Sequence, residues 1–318
     1  MWRVPIDEES GETLGPPQAV TAGGFTSKWH PSFSTDGRQI IYVERVETFN
    51  LQSAGFDPVQ GKVLTDPVPI TRGFPRTAIE PNVSPDGTLI VFRATEEQED
   101  IKIVRTDGTG ENRLTDDGFK DRRPRWSPTG NRIAFDSDRS GNYDIWTINA
   151  DGSGLQQITD DRDSAFRNAT WSPDGTRMAY YESGGLEASY VIDVGVPWED
   201  QPPLVIPEFR AKDWSPDGRR LLGDSGNPES IKVYSFETRA FETLTDFGTA
   251  RTWLGSERYV LFDSRNTLFL LDTRTEAITE LMPIGPEGRG HVTLAPDDRT
   301  IYFSLGTPEA DIWLMTFE

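Results

Sequence analysis

Apolar residues come in bursts of four to six along the whole chain, without the i, i+3, i+4 recurrence of a helix, and the bursts repeat in a fixed frame. The frame is set by triplets: Ile40-Ile41-Tyr42, Ile90-Val91-Phe92, Ile133-Ala134-Phe135, Met178-Ala179-Tyr180, Leu221-Leu222-Gly223, Val260-Leu261-Phe262 and Ile301-Tyr302-Phe303. Each follows a turn, at Ser34, Ser84, Ser127, Ser172, Ser215, Leu254 and Ala295, most often Ser-Pro-Asp-Gly. The residue before each turn is large and apolar (Phe33, Val83, Trp126, Trp171, Trp214, Trp253, Leu294), and the one before that is polar (Ser32, Asn82, Arg125, Thr170, Asp213, Thr252, Thr293). Such alternation marks a strand, and Pro, Asp and Gly in sequence close a hairpin: Pro presets φ, Asp bonds its own backbone and Gly accepts positive φ.

The turns are 50, 43, 45, 43, 39 and 41 residues apart. That period is the length of a four-stranded propeller blade. A third strand follows each hairpin, as at Asp144-Ile145-Trp146-Thr147-Ile148, and a short fourth ends in Leu114-Thr115, Ile158-Thr159 or Leu244-Thr245. Residues 6–23 align with 56–73 at an offset of 50, so the first 24 residues supply a third and a fourth strand, while the chain stops after the third strand of its last repeat. The tally is 29 strands, four times seven plus one. It predicts an all-β, seven-bladed propeller of four-stranded antiparallel blades over residues 1–318, one domain, with eight or six blades as the competing counts. The ring would close through the N-terminal strand near Gln18 to Thr21, placed beside Ile312 to Phe317, with residues 1–6 as the surplus strand.

These motifs, W-S-P-D-G, apolar triplet, D-I-W, D-G-x-G and L/I-T, resemble the TolB-type, WD-like propeller repeat, and the resemblance covers nearly the whole chain. The same repeat is found in TolB of the periplasm, in propellers of tricorn-like and prolyl-oligopeptidase-like proteases, in oligogalacturonate lyase and in C-terminal sensor regions of bacterial membrane kinases and regulators. The first two units look most like that last group. The resemblance implies a recognition platform or sensor module, monomeric as a domain and extracytoplasmic, although the fold alone does not specify a function.

Composition narrows the chemistry. With 52 acidic and 32 basic residues the formal charge is −20, which repels nucleic acid and anionic lipid. No apolar run reaches the length of a membrane span, and the opening "MWRVPIDEESGETLG" has no basic leader followed by an apolar stretch. There is no cysteine, no G-x-S-x-G elbow, no kinase motif set and no phosphate-cradling glycine loop. No coherent catalytic set emerges, which favours a non-catalytic platform for a protein, peptide or small ligand.

Two candidate sites remain. His30 and His291 both stand four residues before a turn, where the second repeat has Glu80; brought to one channel mouth, the three would suit a divalent metal. This is the alternative reading: a metal-dependent carbohydrate lyase or hydrolase resembling oligogalacturonate lyase, although that family's histidine-rich cluster has no full match here. Arg123, at the same place in the third repeat, and Arg125 two residues on would form a guanidinium pair for a small anion or acidic peptide. The Asp136 to Asp144 loop offers oxygen ligands for Ca²⁺ without the closing glutamate of an EF-hand, and Trp198 stands in an irregular stretch as a partner anchor or a lid.

Overall fold

Each Ser-Pro-Asp-Gly turn closes as its chemistry requires. At the fourth, the backbone N–H of Gly175 donates to the carbonyl of Ser172 (2.8 Å), Arg177 N–H donates to Ser172 Oγ (2.9 Å) and Thr176 N–H to Asp174 Oδ1 (3.0 Å). Gly175 takes φ 72°, and in the two degraded copies Glu257 and Asp298 hold the same left-handed place at φ 56°. Hydrogen bonds from Ser172 and Thr176 hold the Asp174 carboxyl at about 2. Asp174→Ala is expected to lower the stability of the chain by about 1 kcal/mol in urea denaturation, since it removes acceptors without opening a buried site.

The computed structural model describes the chain except residues 1, 4–12, 14, 17, 20–26, 36–38, 73–76, 96–97, 185–186, 227–228, 285–290 and 317–318. The described residues fall into two compact units, 1–48 with 307–318, and 49–306. Among them the regular structure is strand, apart from one 3₁₀ turn at Trp198–Asp200. No helix is long and apolar enough to cross a membrane.

Four blades have the predicted form, each with four antiparallel strands in chain order. They are Asp121–Trp126, Arg132–Ser137, Asp144–Asn149 and Gln156–Gln157; Ala165–Trp171, Arg177–Ser183, Ser189–Asp193 and Leu204–Ile206; Arg210–Trp214, Arg220–Gly226, Glu229–Ser235 and Phe241–Thr245; and Thr249–Trp253, Tyr259–Ser264, Thr267–Asp272 and Ile278–Pro283.

The expected seven blades are not formed: among the described residues four sheets are four-stranded, and the remaining strands join one ten-stranded and one two-stranded sheet. Two long strands account for the difference. Gln39–Asp57 continues through nineteen residues, its stretch "YVERVETFNLQSA" holding neither Gly nor Pro, and Thr300–Thr316 runs the second and third strands of the last repeat into one despite Gly306 and Pro308. The second repeat, Thr77–Val83, Leu89–Thr95, Glu99–Arg105 and Asn112–Arg113, is paired antiparallel in order but joins that larger sheet through Phe49, parallel to Thr77. Among the described residues the N-terminal strand is not a clasp either: Gln18–Ala19 pairs with Trp2–Arg3, and residues 20, 21 and 317 of the expected seam, with 1 and 4–6 of the surplus strand, lie outside the described residues.

The apolar triplets fill the spaces between neighbouring sheets of the second unit. Ile133 and Phe135 pack with Val91, Ile101 and Trp126 on one side, while Ala134 between them packs with Phe166, Met178 and Tyr180 on the other. Strand alternation sends successive side chains to opposite faces, and both faces are buried, so all three positions must be apolar. The same exchange recurs with Leu221 and Leu222, and with Val260 and Leu261.

Candidate functional site: the central channel

The first strands of successive repeats stand side by side in a closed circuit within the second unit, from Thr77–Val83 through Asp121–Trp126, Ala165–Trp171, Arg210–Trp214, Thr249–Trp253 and Val292–Leu294 back to Thr77–Val83. Side-chain bonds tie one to the next. Asn82 Oδ1 accepts from Trp126 N–H (2.8 Å), the Trp171 and Trp214 indoles donate to the carbonyls of Arg125 (3.3 Å) and Thr170 (3.1 Å), and Asp213 Oδ2 accepts from Trp253 N–H (3.0 Å) and Thr252 Oγ1 (2.7 Å).

A bulge interrupts the first five of these strands just before the turn, and in three of them the residue four before the turn is left-handed. The register slips between Ile79 and Asn82 and between Arg122 and Arg125, and Glu80 and Arg123 take φ 59° and 51°. Bulges re-aim side chains, and a non-glycine residue in the left-handed region costs on the order of 1 kcal/mol, so the backbone here is held by its surroundings. Glu80 is 3 % exposed. Its carboxylate accepts the backbone N–H of Arg123 (2.8 Å) and lies 3.4 Å from Arg93 Nε and 3.7 Å from His291 Nε2. Burial acts to raise its pKa, but the charges of Arg93, His291 and Arg123 with the backbone bond from Arg123 outweigh it and hold the group at about 2. Burial, with Arg251, Arg125 and Arg123 nearby, depresses the His291 imidazole to about 3 despite the pull of Glu80. At neutral pH His291 is therefore uncharged, and its contact with Glu80 is not an ion pair.

Arg123 and Arg125 part company. Arg123 turns to the buried Asp136 (2.7 Å), whereas Arg125 lines a cavity of about 220 Å³ ringed by the six first strands, together with Asn82, Thr170, Lys212, Asp213, Arg251 and Thr293. Its guanidinium donates to the carbonyl of its neighbour Pro124 (3.2 Å). Burial lowers the pKa of Arg125 and the Arg251 and Arg123 charges add to the effect, while Glu80 and Asp213 oppose it. Lys212 (3.5 Å from Asp224) and Arg251 (bonded to Asp263) carry their own partners.

The profile of the TolB beta propeller domain matches residues 27–197, more than half of the chain. The chain belongs to the TolB beta propeller family. An uncharacterized protein of Agrobacterium fabrum is 29% identical over 180 residues, 53% of this chain and 58% of that protein. The Tol-Pal system protein TolB of Zymomonas mobilis is 33% identical over 75 residues, 23% of this chain and 16% of that protein. The matches thus span less than two thirds of both curated relatives. Among solved structures, a protein assigned as TolB from Agrobacterium tumefaciens shares a TM-score of 0.64 at 18% identity, covering 82% of this chain and 100% of the other. Oligogalacturonate lyase in complex with manganese shares 0.53 at 10% identity, over 88% and 96%. At such identities the likeness is one of fold.

In this TolB-type propeller the predicted site residues divide. Glu80, Arg123 and His291 meet at one level and Arg125 lies at another, while His30, with φ 53° at the equivalent bulge, belongs to the first unit. Among the described residues no three His, Cys, Asp or Glu side chains are grouped as a metal would need. The oxygens of the Asp136 loop are committed internally: Asp136 accepts Asn168 N–H (3.2 Å) besides Arg123, and Asp144 accepts the hydroxyls of Ser140 (2.6 Å) and Thr159 (2.8 Å). Trp198 packs edge-on against Phe166, ring centroids 5.7 Å apart, in the role of a lid. Lys212 and Arg251 were missed because the bulges of their strands are one residue shorter, slipping between Ala211 and Asp213 and between Ala250 and Thr252, so the channel cation sits three residues before the turn.

Proposed function

We propose that this chain is a non-catalytic binding platform of the TolB type, whose channel takes the acidic side chain of a partner polypeptide lying across the propeller face. The observation that carries this reading is Arg125: a guanidinium lining the channel with no carboxylate in ion-pair range among the described residues, beside two cations that are already paired. Placing one carboxylate in a cavity of this size restores the counter-charge that burial withholds, and a planar fork suits it. Kinship with a Tol-Pal system protein supports a protein partner and an extracytoplasmic setting, either freestanding or as the sensor portion of a longer signalling chain.

The metal-dependent lyase or hydrolase reading fits the residues poorly. The Glu80 and His291 pair is surrounded by Arg93, Arg123, Arg125 and Arg251, and these charges oppose a divalent cation as strongly as they hold the Glu80 carboxylate. A capped tetra-aspartate peptide titrated into the chain by calorimetry is expected to bind, and Arg125→Met to weaken it at least about tenfold with an unchanged melting temperature. Equal affinity for the variant would remove the proposal.

A further inference from the structure

Three blades carry an aromatic pair at the same register, and what covers the pair differs among them. Phe135 faces Trp146, Tyr180 faces Tyr190 and Phe262 faces Phe269 as cross-strand partners. In the 121–157 blade the guanidinium of Arg139 lies over this pair and over Phe119, its carbon 5.6, 5.2 and 5.6 Å from the centroids of Phe135, Trp146 and Phe119. The same group bonds both oxygens of Asp121 (2.9 and 2.8 Å), lies 3.2 Å from Asp117, and is 7 % exposed. In the 165–206 blade Phe166 stands edge-on to Tyr180 and Tyr190, with ring centroids 4.9 and 5.3 Å away, and Trp198 covers Phe166 in turn.

The 249–283 blade has the rings without a cover. Phe247 stands 5.5 Å from Phe262 and 6.1 Å from Phe269, and beside them opens a cavity of about 650 Å³ whose walls include Thr249, Asp263, Glu229 and the Ser264–Thr267 turn. Loop length explains the difference. Residues 138–143 join the second and third strands of the 121–157 blade and return Arg139 over the rings, whereas Arg265 and Asn266 alone make the turn here, at φ 47° and 65°. A two-residue turn of this kind reverses the chain with no length left to fold back.

We propose that this cavity binds a guanidinium group, the arginine side chain of a partner polypeptide, in the place that Arg139 fills internally three blades earlier. The ring faces offer the negative quadrupole that a weakly hydrated planar cation stacks on. Glu229, exposed and with no side-chain partner among the described residues, and Asp263, one oxygen of which meets Arg251, supply the acceptors that Asp121 and Asp117 supply to Arg139. Arg265 on the rim opposes the ligand's charge and limits its affinity.

The test titrates capped arginine amide, its lysine and tryptophan counterparts, and capped Gly-Arg-Gly into the full chain, followed by NMR. The arginine probe is expected to bind with a dissociation constant of about 1 mM, at least about fivefold tighter than lysine, and the tripeptide tighter still. Glu229→Gln weakens it about fivefold and Arg265→Ala strengthens it about threefold, both at unchanged melting temperature. Absence of binding at about 20 mM, equal affinity for lysine, or tighter binding of tryptophan, whose ring packs over Phe166 in the 165–206 blade, would overturn the proposal. A tripeptide no tighter than the amide would overturn the polypeptide source of the group.

Discussion

Glu80→Ala is expected to destabilise the chain by about 3 kcal/mol, measured as a fall in the urea midpoint followed by tryptophan fluorescence. The carboxylate is buried and serves three groups at once: the Arg123 backbone N–H, the Arg93 guanidinium and the His291 ring. Alanine leaves that N–H without its acceptor at a residue held in the left-handed region, and removes the counter-charge between two guanidinium groups. The loss stays at the lower end for a broken buried pair because Arg93 keeps Glu99 (3.1 Å) and Arg123 keeps Asp136 (2.7 Å). Glu80→Gln, which retains an acceptor oxygen and the shape, is expected to cost about half as much. An alanine variant as stable as the wild type would mean that the bulge is held by the strands alone.

How far such a node can be read from sequence depends on whether its neighbours share its register. Position four before the turn was legible for Glu80 and Arg123 because the bulge falls at the same offset in both strands. It failed for Lys212 and Arg251, where one residue fewer shifts the cation by one place. The triplets were legible for a different reason: burial on both faces forbids any polar residue, so Ile133-Ala134-Phe135 announces a strand packed between two sheets. Blade count was not legible, since it rests on where strands end. Between Tyr42 and Gly55 the repeat period implies a turn, but no Gly or Pro stands there to break the strand, and the chain runs straight on. The Arg139 cap was equally hidden, because its partners Phe119 and Asp121 lie on one segment and Trp146 on another.

His291 is expected to make the chain sensitive to mild acid. Its ring has an ordinary pKa of 6.5 in the unfolded chain and about 3 in the folded one, so between those values the unfolded state binds the extra proton. The stabilising contribution is complete above pH 6.5 and is lost as the pH falls toward 3, at up to about 1.4 kcal/mol per pH unit. Because the side chain is 26 % exposed, water reaches part of the ring, and a loss of about 2 kcal/mol by pH 4.5 is the expected size. Other groups bend the curve. Glu80, held at about 2, begins to lose its contribution only below its unfolded value of 4.5, whereas Asp100, raised to about 6 by burial, becomes less unfavourable as the pH falls through 6. Comparison of the wild type with His291→Asn separates them, since both chains share every group but one. Urea midpoints at pH 7.5, 6 and 4.5 should converge by about 2 kcal/mol, the variant gaining on the wild type with each step down. Parallel curves would show that the ring takes up its proton alike in the folded and unfolded chains, and so that burial does not depress it.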